Sequence, residues 1–358
     1  MVKKKKIHLK SLYILFVSLS LLIFFFSTKN VLSKAFEIDN IAISKPFEIN
    51  FNKNDVINEG FKKAFSELIL KIVNSNDQKK IDKIKVNEIK GMVESFTIKE
   101  EKFINEIYNV NLGVTFNKKK IFNYLEKKNI FPSIPLERKI LFIPIIIDEK
   151  EKELLIFSNN IFFNNWTKFS ENYYLIEYIL PTEDLEDINL IKKRFDIIEE
   201  YDFEEIINKY NLDDSVVALI FKKDQELRIL SKINIKNNLI LKNKTFKNLN
   251  INNEIDMKNV IYELKNSYED YWKDLNKINT SIKLSLNIRV DNSNNAKITK
   301  FEKNLKETDL IYKFDISRFD KNYTFYHIVF NGTPNNFLKT MVNFGYNFNI
   351  QNKIWILK

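Results

Sequence analysis

The densest set of carboxylates in the 358-residue chain is Glu183, Asp184, Glu186 and Asp187, in "TEDLEDINL", and Asp213 with Asp214 forms a second pair. Two carboxyl groups flanking a glycosidic bond can hydrolyse it, one as acid and the other as base or nucleophile. A plainer explanation is also open. Acids gather in the first turn of a helix because the peptide dipole stabilises negative charge there, and an Asp pair suits a turn before a strand. Both sets are better explained this way. A zinc centre would need His or Cys ligands. The chain has no Cys, and its two histidines are His8 and His327, the latter alone in an apolar strand. There is no G-x-S-x-G elbow, and Gly60, Gly91, Gly113, Gly332 and Gly345 are too scattered for a phosphate loop. No catalytic residue, metal or cofactor is therefore assigned, and the chain reads as non-enzymatic.

The second kind of chemistry is recognition. "IFSNNIFFNNW", residues 156 to 166, sets asparagines beside bulky rings, as a sugar-binding face does. Trp166, Phe163, Asn160 and Asn165 are the candidate ligand-binding residues. They follow a run that reads as a buried strand of an open sheet, and ligands of such sheets gather at the carboxyl ends of strands. The competing explanation is packing, because aromatic side chains bury large areas and dominate cores. Composition favours packing. With 31 Phe but 5 Gly and 6 Pro, the chain is biased in a way that suggests AT-rich coding, which discounts any single Asn or Phe cluster.

The net charge is +10, yet Lys3, Lys4, Lys5, Lys6, Lys10 and Lys29 precede any acid, and without them about +4 is spread along the chain. A nucleic-acid binder concentrates its basic residues on one face, so nucleic acid is not expected as a partner. The start of the chain, "MVKKKKIHLKSLYILFVSLSLLIFFFS", has a basic stretch and then an apolar run, the layout of a secretory leader. Cleavage after Ser33 or Ala35 puts small residues at the required sites. The alternative is an uncleaved inner-membrane anchor with membrane contact through residues 12 to 27. Either way the remainder is expected outside the cytoplasm, in the periplasm. The missing Cys leaves no disulfide and no lipid attachment after the apolar run.

The elements fall into three blocks after the leader or anchor of residues 1–35. Residues 36–130 read as an α+β unit. "AFEIDNIAI" is a strand, "NDVINEGFKKAFSELILKIVN" a helix started by Asn54 or Asp55, and "QKKIDKIKVNEIKGMV" a shorter helix. Phe96 and Ile98 share a face of the next strand, and Tyr108, Val110, Leu112 and Val114 a face of the one after, before a closing helix. Residues 135–250 alternate strand and helix, which suggests an open α/β unit. "KILFIPIII" is a doubly buried strand, "NNIFFNNWTKFSEN" a helix, "YYLIEYILP" a strand, and "TEDLEDINLIKKRF" a helix capped by Thr182. Residues 255–358 begin with a helix containing Trp272. They continue in the order β-α-β-β-α-β, that of a ferredoxin-like unit. Thr333, Pro334 and Gly345 mark the ends of its second helix. The fold class is α+β.

The order of these segments resembles that of bacterial exported proteins carrying domain of unknown function 2066. The resembling stretches are "AFEIDNI", "FKKAFSELILKI", "RKILFIPIII", "LLIFSNNIFFNNW", "LPTEDLEDINLI" and "VFNGTPNNFLKTMVNFGYNFNIQNKIWILK". Departures fall near Thr182 and Glu183 and at Ile161. The resemblance implies an exported location and an architecture, not a chemistry. The expectation is a non-catalytic cell-envelope protein that binds another envelope protein. The alternatives are a periplasmic glycan or small-ligand binder through Trp166, and an envelope hydrolase built on the carboxylates.

Overall fold

The structure, a computed structural model, describes residues 36–358. The expected leader or anchor of residues 1–35, with membrane contact through 12 to 27, lies outside the described residues. Among the described residues no helix is long and apolar enough to cross a membrane.

The first unit contains β1 (Glu37–Pro46), α1 (Lys53–Ile72), α2 (Ser75–Gln78), α3 (Val86–Met92), β2 (Val93–Ile104), β3 (Ile107–Phe116) and α4 (Lys118–Lys127). Its sheet has the order β1-β3-β2 with both pairings antiparallel. Residues at helical spacing put Val56, Phe61, Ala64, Phe65, Leu68, Ile69 and Ile72 on the buried face of α1. The alternation in β3 buries Tyr108, Val110, Leu112, Val114 and Phe116 beneath it. Gly60 lets helix and strand approach closely, since a Cβ there would run into Leu112 Cδ1. Asn52, rather than Asn54 or Asp55, caps α1 by accepting from the Asn54 amide at 2.9 Å. The expected second helix is broken in two, because the chain turns between α2 and α3 to bury Ile81.

The middle unit contains β4 (Arg138–Asp148), β5 (Glu153–Leu155), α5 (Ile161–Asn165), β6 (Ile176–Ile179), α6 (Leu185–Lys193), α7 (Glu204–Ile207), β7 (Ser215–Lys223), β8 (Glu226–Ile235), β9 (Asn238–Phe246) and α8 (Glu254–Leu275). β4 runs parallel to β6 and β7, while β7, β8 and β9 form an antiparallel meander. The sheet is thus mixed, and the open α/β description fits only its parallel part. β4 and β7 are apolar at nearly every position because both faces of the sheet are covered. One core holds Phe142, Trp166 and the apolar side of α8. The opposite core holds Ile143, Phe157, Ile191, Phe203 and Leu219. A domain boundary at 255 would give α8 to the third unit. Its residues Met257, Val260, Ile261, Leu264, Tyr268 and Trp272 instead fill the middle core, where they cover the apolar face of β7 and β8.

The third unit contains β10 (Lys283–Asp291), α9 (Asn295–Glu307), β11 (Ile311–Phe319), β12 (Tyr323–Asn331), α10 (Pro334–Asn343), β13 (Phe348–Asn349) and β14 (Ile354–Leu357). Thr333 caps α10 through the Asn336 amide, Pro334 opens it, and Gly345 follows its end at φ 82°. The sheet order is β11-β12-β10-β14-β13. The expected last strand is split into β13 and β14 by a hairpin. The crossover through α10 delivers β13 parallel to β12, and the hairpin then reverses the chain, so β14 lies parallel to β10. A ferredoxin-like unit would close with that strand antiparallel to β10, so the order matches but the closing orientation does not.

Candidate functional site

The "IFSNNIFFNNW" stretch sits against the edge of β4. That edge is paired twice, by β6 along Arg138–Leu141 and by β5 along Ile146–Asp148. Between the two pairings the edge would be bare. Asn160, fully buried, closes part of the gap. Its Nδ2 donates to Pro144 O at 3.0 Å and to Leu155 O at 3.2 Å, and its Oδ1 accepts from the Phe162 and Phe163 amides as the cap of α5. A buried amide with this many partners is a fold element, not a free recognition group.

The aromatic candidates are separated by the sheet edge. Trp166 is fully buried and stacks on Phe142, while Phe163 packs edge-on to Phe157 in the opposite core. Asn165 is occupied locally, donating to Ile161 O at 2.8 Å and accepting from Lys168 Nζ at 3.0 Å. The four residues therefore form no common face. The expected helix over residues 159 to 172 is only the five residues of α5. At the carboxyl ends of β4 and β7 there is a cleft of about 640 Å³, but Ile147, Phe195, Glu199 and Phe221 line it rather than the Trp166 segment.

The carboxylates are collected by Lys209. Its Nζ lies 2.6 Å from Asp187, 3.2 Å from Asp184 and 3.7 Å from Glu186. Asp184, not Thr182, is the N-cap of α6. That helix starts later than expected, and the Thr182 amide donates to the Tyr210 hydroxyl. The Glu186 amide and then Lys209 hold the Asp184 carboxyl below its ordinary range, the wrong direction for a general acid. Buried Asp214 accepts from the Lys236 amide at 2.9 Å and pairs with Arg138, which also faces Asp213 at 3.6 Å. Both sets have structural partners.

His327 lies on the side of β12 away from the core. Its Nε2 is 2.8 Å from Ser285 Oγ on β10, and its Nδ1 is 3.7 Å from Asp315 on β11. The sequence places these three far apart, and only strand pairing joins them. The Asp distance is too long for a hydrogen bond, and none of the clefts described here is lined by Ser285.

The feature that sequence reasoning missed is an apolar tip on the first unit. β2 and β3 are joined by Asn105 and Glu106, both at positive φ, in a two-residue hairpin turn. Phe103, Ile104 and Ile107 flank that turn and are exposed at 58%, 53% and 41%. Phe47, 53% exposed, joins them from the end of β1, its ring 5.0 Å from Phe103 and 4.8 Å from Phe51. Its amide donates to Glu106 O at 2.7 Å, so the loop and hairpin form one preset cluster, with Ile49 fully exposed beside it. The available signal was "FINEI", where apolar residues crowd both sides of a turn that solvent should reach.

A scan against protein-family models finds no match to this chain, and a search of curated proteins finds none either.

Proposed function

We propose that the chain is an exported, non-catalytic protein of the cell envelope that binds another envelope protein, with the apolar tip as its docking point. The observation that carries this reading is the exposed cluster of Phe47, Ile49, Phe103, Ile104 and Ile107. Exposed apolar side chains gathered at one hairpin tip, with the neighbouring loop held to it by the Phe47 to Glu106 backbone hydrogen bond, suit an interaction surface, and aromatic anchors supply most of the binding energy in protein interfaces.

Two features favour a protein partner over lipid. The lysines around the tip are neutralised. Lys45 pairs with Glu59, Lys53 with Glu101 and Lys102 with Glu100, leaving little to attract an anionic bilayer. The tip also lies at the far end of β1 from Phe36. Ten strand residues separate the two, about 33 Å of extended chain. In a chain held by an N-terminal anchor, that strand would set the tip apart from the anchored end of the unit. The exported location rests on the leader-like start of the sequence and on the resemblance of its segment order to exported proteins of the domain of unknown function 2066 type.

The test is site-specific photo-crosslinking in cells, with a benzophenone side chain in place of Ile49. The expected result is an adduct with one envelope protein that disappears when Phe47 and Phe103 are both changed to Ala. Adducts with lipid alone, or a protein adduct unaffected by the double change, would reject the docking role. A protein found wholly in the cytoplasmic fraction would reject the location.

A further inference from the structure

α8 joins the first and middle units through charged side chains that are buried. Lys265, Glu269 and Lys273 recur every four residues along it and are 2%, 2% and 5% exposed. Each holds backbone at a chain turn. Lys265 donates to Trp166 O and Phe169 O at 2.8 and 2.6 Å. Lys273 donates to Leu70 O in the last turn of α1 and to Val73 O just past its end, at 2.5 and 3.3 Å. Glu269 Oε1 accepts from the Leu175 and Ile176 amides at 3.0 and 2.8 Å. The remaining Glu269 oxygen, Oε2, is buried and has no hydrogen-bond partner. An unpaired buried carboxylate oxygen is costly, so a ligand that pairs with it gains correspondingly.

Glu269 lines a small chamber of about 20 Å³ at the joint, together with Tyr173, Tyr174, Tyr262, Asp270 and Lys273. Leu70 and Gln78 also line it, and the same two residues line a cleft of about 490 Å³ in the first unit. The two spaces therefore share Leu70 and Gln78 as a common wall. The cleft is floored by Phe65, Ile69, Ile81, Ile84 and Ile89. Its divider is the Gln78 amide, held by a 3.2 Å hydrogen bond to Val73 O. The larger space is of small-molecule size, with an apolar floor and a polar rim that includes Lys62, Ser66 and Asp82. The smaller has room for one water-sized group.

We propose that this joint is a binding site for a primary alkylamine, its apolar body in the cleft and its ammonium in the chamber on Glu269 Oε2. An ammonium, which donates three hydrogen bonds, suits an acceptor oxygen that has no partner. Glu269 and Asp270 face Lys273 in the chamber lining, while Lys265 and Lys242 act on them from outside it. Its tyrosine rings suit an ammonium, as Lys265 demonstrates with its Nζ 5.4 Å from the Tyr174 ring centroid. Asp270 is already engaged by the Ser75 amide at 2.9 Å and by its hydroxyl, which leaves Glu269 Oε2 to receive the ligand.

The test is calorimetric titration of the full chain with octylamine and, separately, with octanoate. Octylamine is expected to bind and octanoate not. Glu269→Gln keeps an oxygen for the two amides and removes the charge, so it should weaken octylamine by roughly tenfold or more, the value of a charge-assisted hydrogen bond. Ile84→Trp, at a half-buried position on the cleft wall, should abolish binding with Glu269 intact and the fold unchanged by circular dichroism. Equal binding of the two probes, no binding of either, or undiminished octylamine binding in either folded variant would overturn the proposal.

Discussion

Trp166 lies flat on Phe142, with ring centroids 3.8 Å apart and planes 21° from parallel. This stack fastens the segment after β5 to the central strand of the middle sheet. The indole Nε1 has no hydrogen-bond partner, so packing and a cation–π contact from Lys265 Nζ, 5.2 Å from the ring centroid, hold the ring there. Trp166→Ala should destabilise the protein by about 3–5 kcal/mol, the usual cost of deleting a buried aromatic side chain. Urea unfolding followed by circular dichroism measures it. A loss below about 1 kcal/mol would mean that the ring is not a core element.

The acids near α6 should behave as a cap and an ion-pair cluster. Asn caps helices about as well as Asp, so Asp184→Asn should leave the urea midpoint nearly unchanged. Lys209→Met strands the buried Asp187 carboxylate without its cation and should lower the midpoint clearly. A reversed ranking would contradict the cluster.

Lys265 should give stability a rising slope in alkaline solution. Burial pushes its ammonium down from the ordinary 10.5 to about 8, against the opposing pull of Glu269 and Glu171. Between those values the unfolded chain binds a proton that the folded chain has released, so stability rises with pH across that window. The penalty for the buried charge is complete below about 8. The tyrosines around it, Tyr174, Tyr178 and Tyr268, are shifted upwards by burial and act in the opposite sense above their ordinary value of 10. Unfolding free energies should therefore be compared between pH 7.5 and 9.5 for the parent and for Lys265→Met. The parent should show the steeper rise. Parallel profiles would show that Lys265 keeps its proton throughout.

The hairpin behind the apolar tip carries a correctable cost. Glu106 sits at φ 59° in the second turn position, where glycine is favoured and other side chains are strained. Glu106→Gly should stabilise the first unit by about 0.5–1 kcal/mol. Thermal unfolding measures it, and a lowered midpoint would indicate that Glu106 makes a compensating contact.

Local rules carried much of the fold. The apolar face of α1, the alternation of β3, the doubly buried β4, and the Thr333, Pro334 and Gly345 punctuation of α10 all appear where periodicity and capping chemistry place them. Each depends on residues within a turn or a strand of one another, and such interactions are written in adjacent positions. The same rules were weaker for short elements. α5 and α7 last only five and four residues, and β9 went unrecognised because its exposed Leu239 and Leu241 blur the alternation.

What the sequence by itself determined, then, is an α+β chain with long helices, buried strands and no assembled metal or nucleophile motif. Tertiary structure decided everything that depends on which surfaces meet. The apolar side of α8 fits any open sheet, and only the assembled fold assigns it to the middle one. Lys265, Glu269 and Lys273 look in sequence like a solvated helix face, yet each meets backbone groups about a hundred or more positions away. The direction of β14 follows from a hairpin that local periodicity does not resolve. Trp166 and Phe163 are three positions apart, and the edge of one strand sends them to opposite cores. Burial is a property of the whole surface a residue faces, so these outcomes have no local signature.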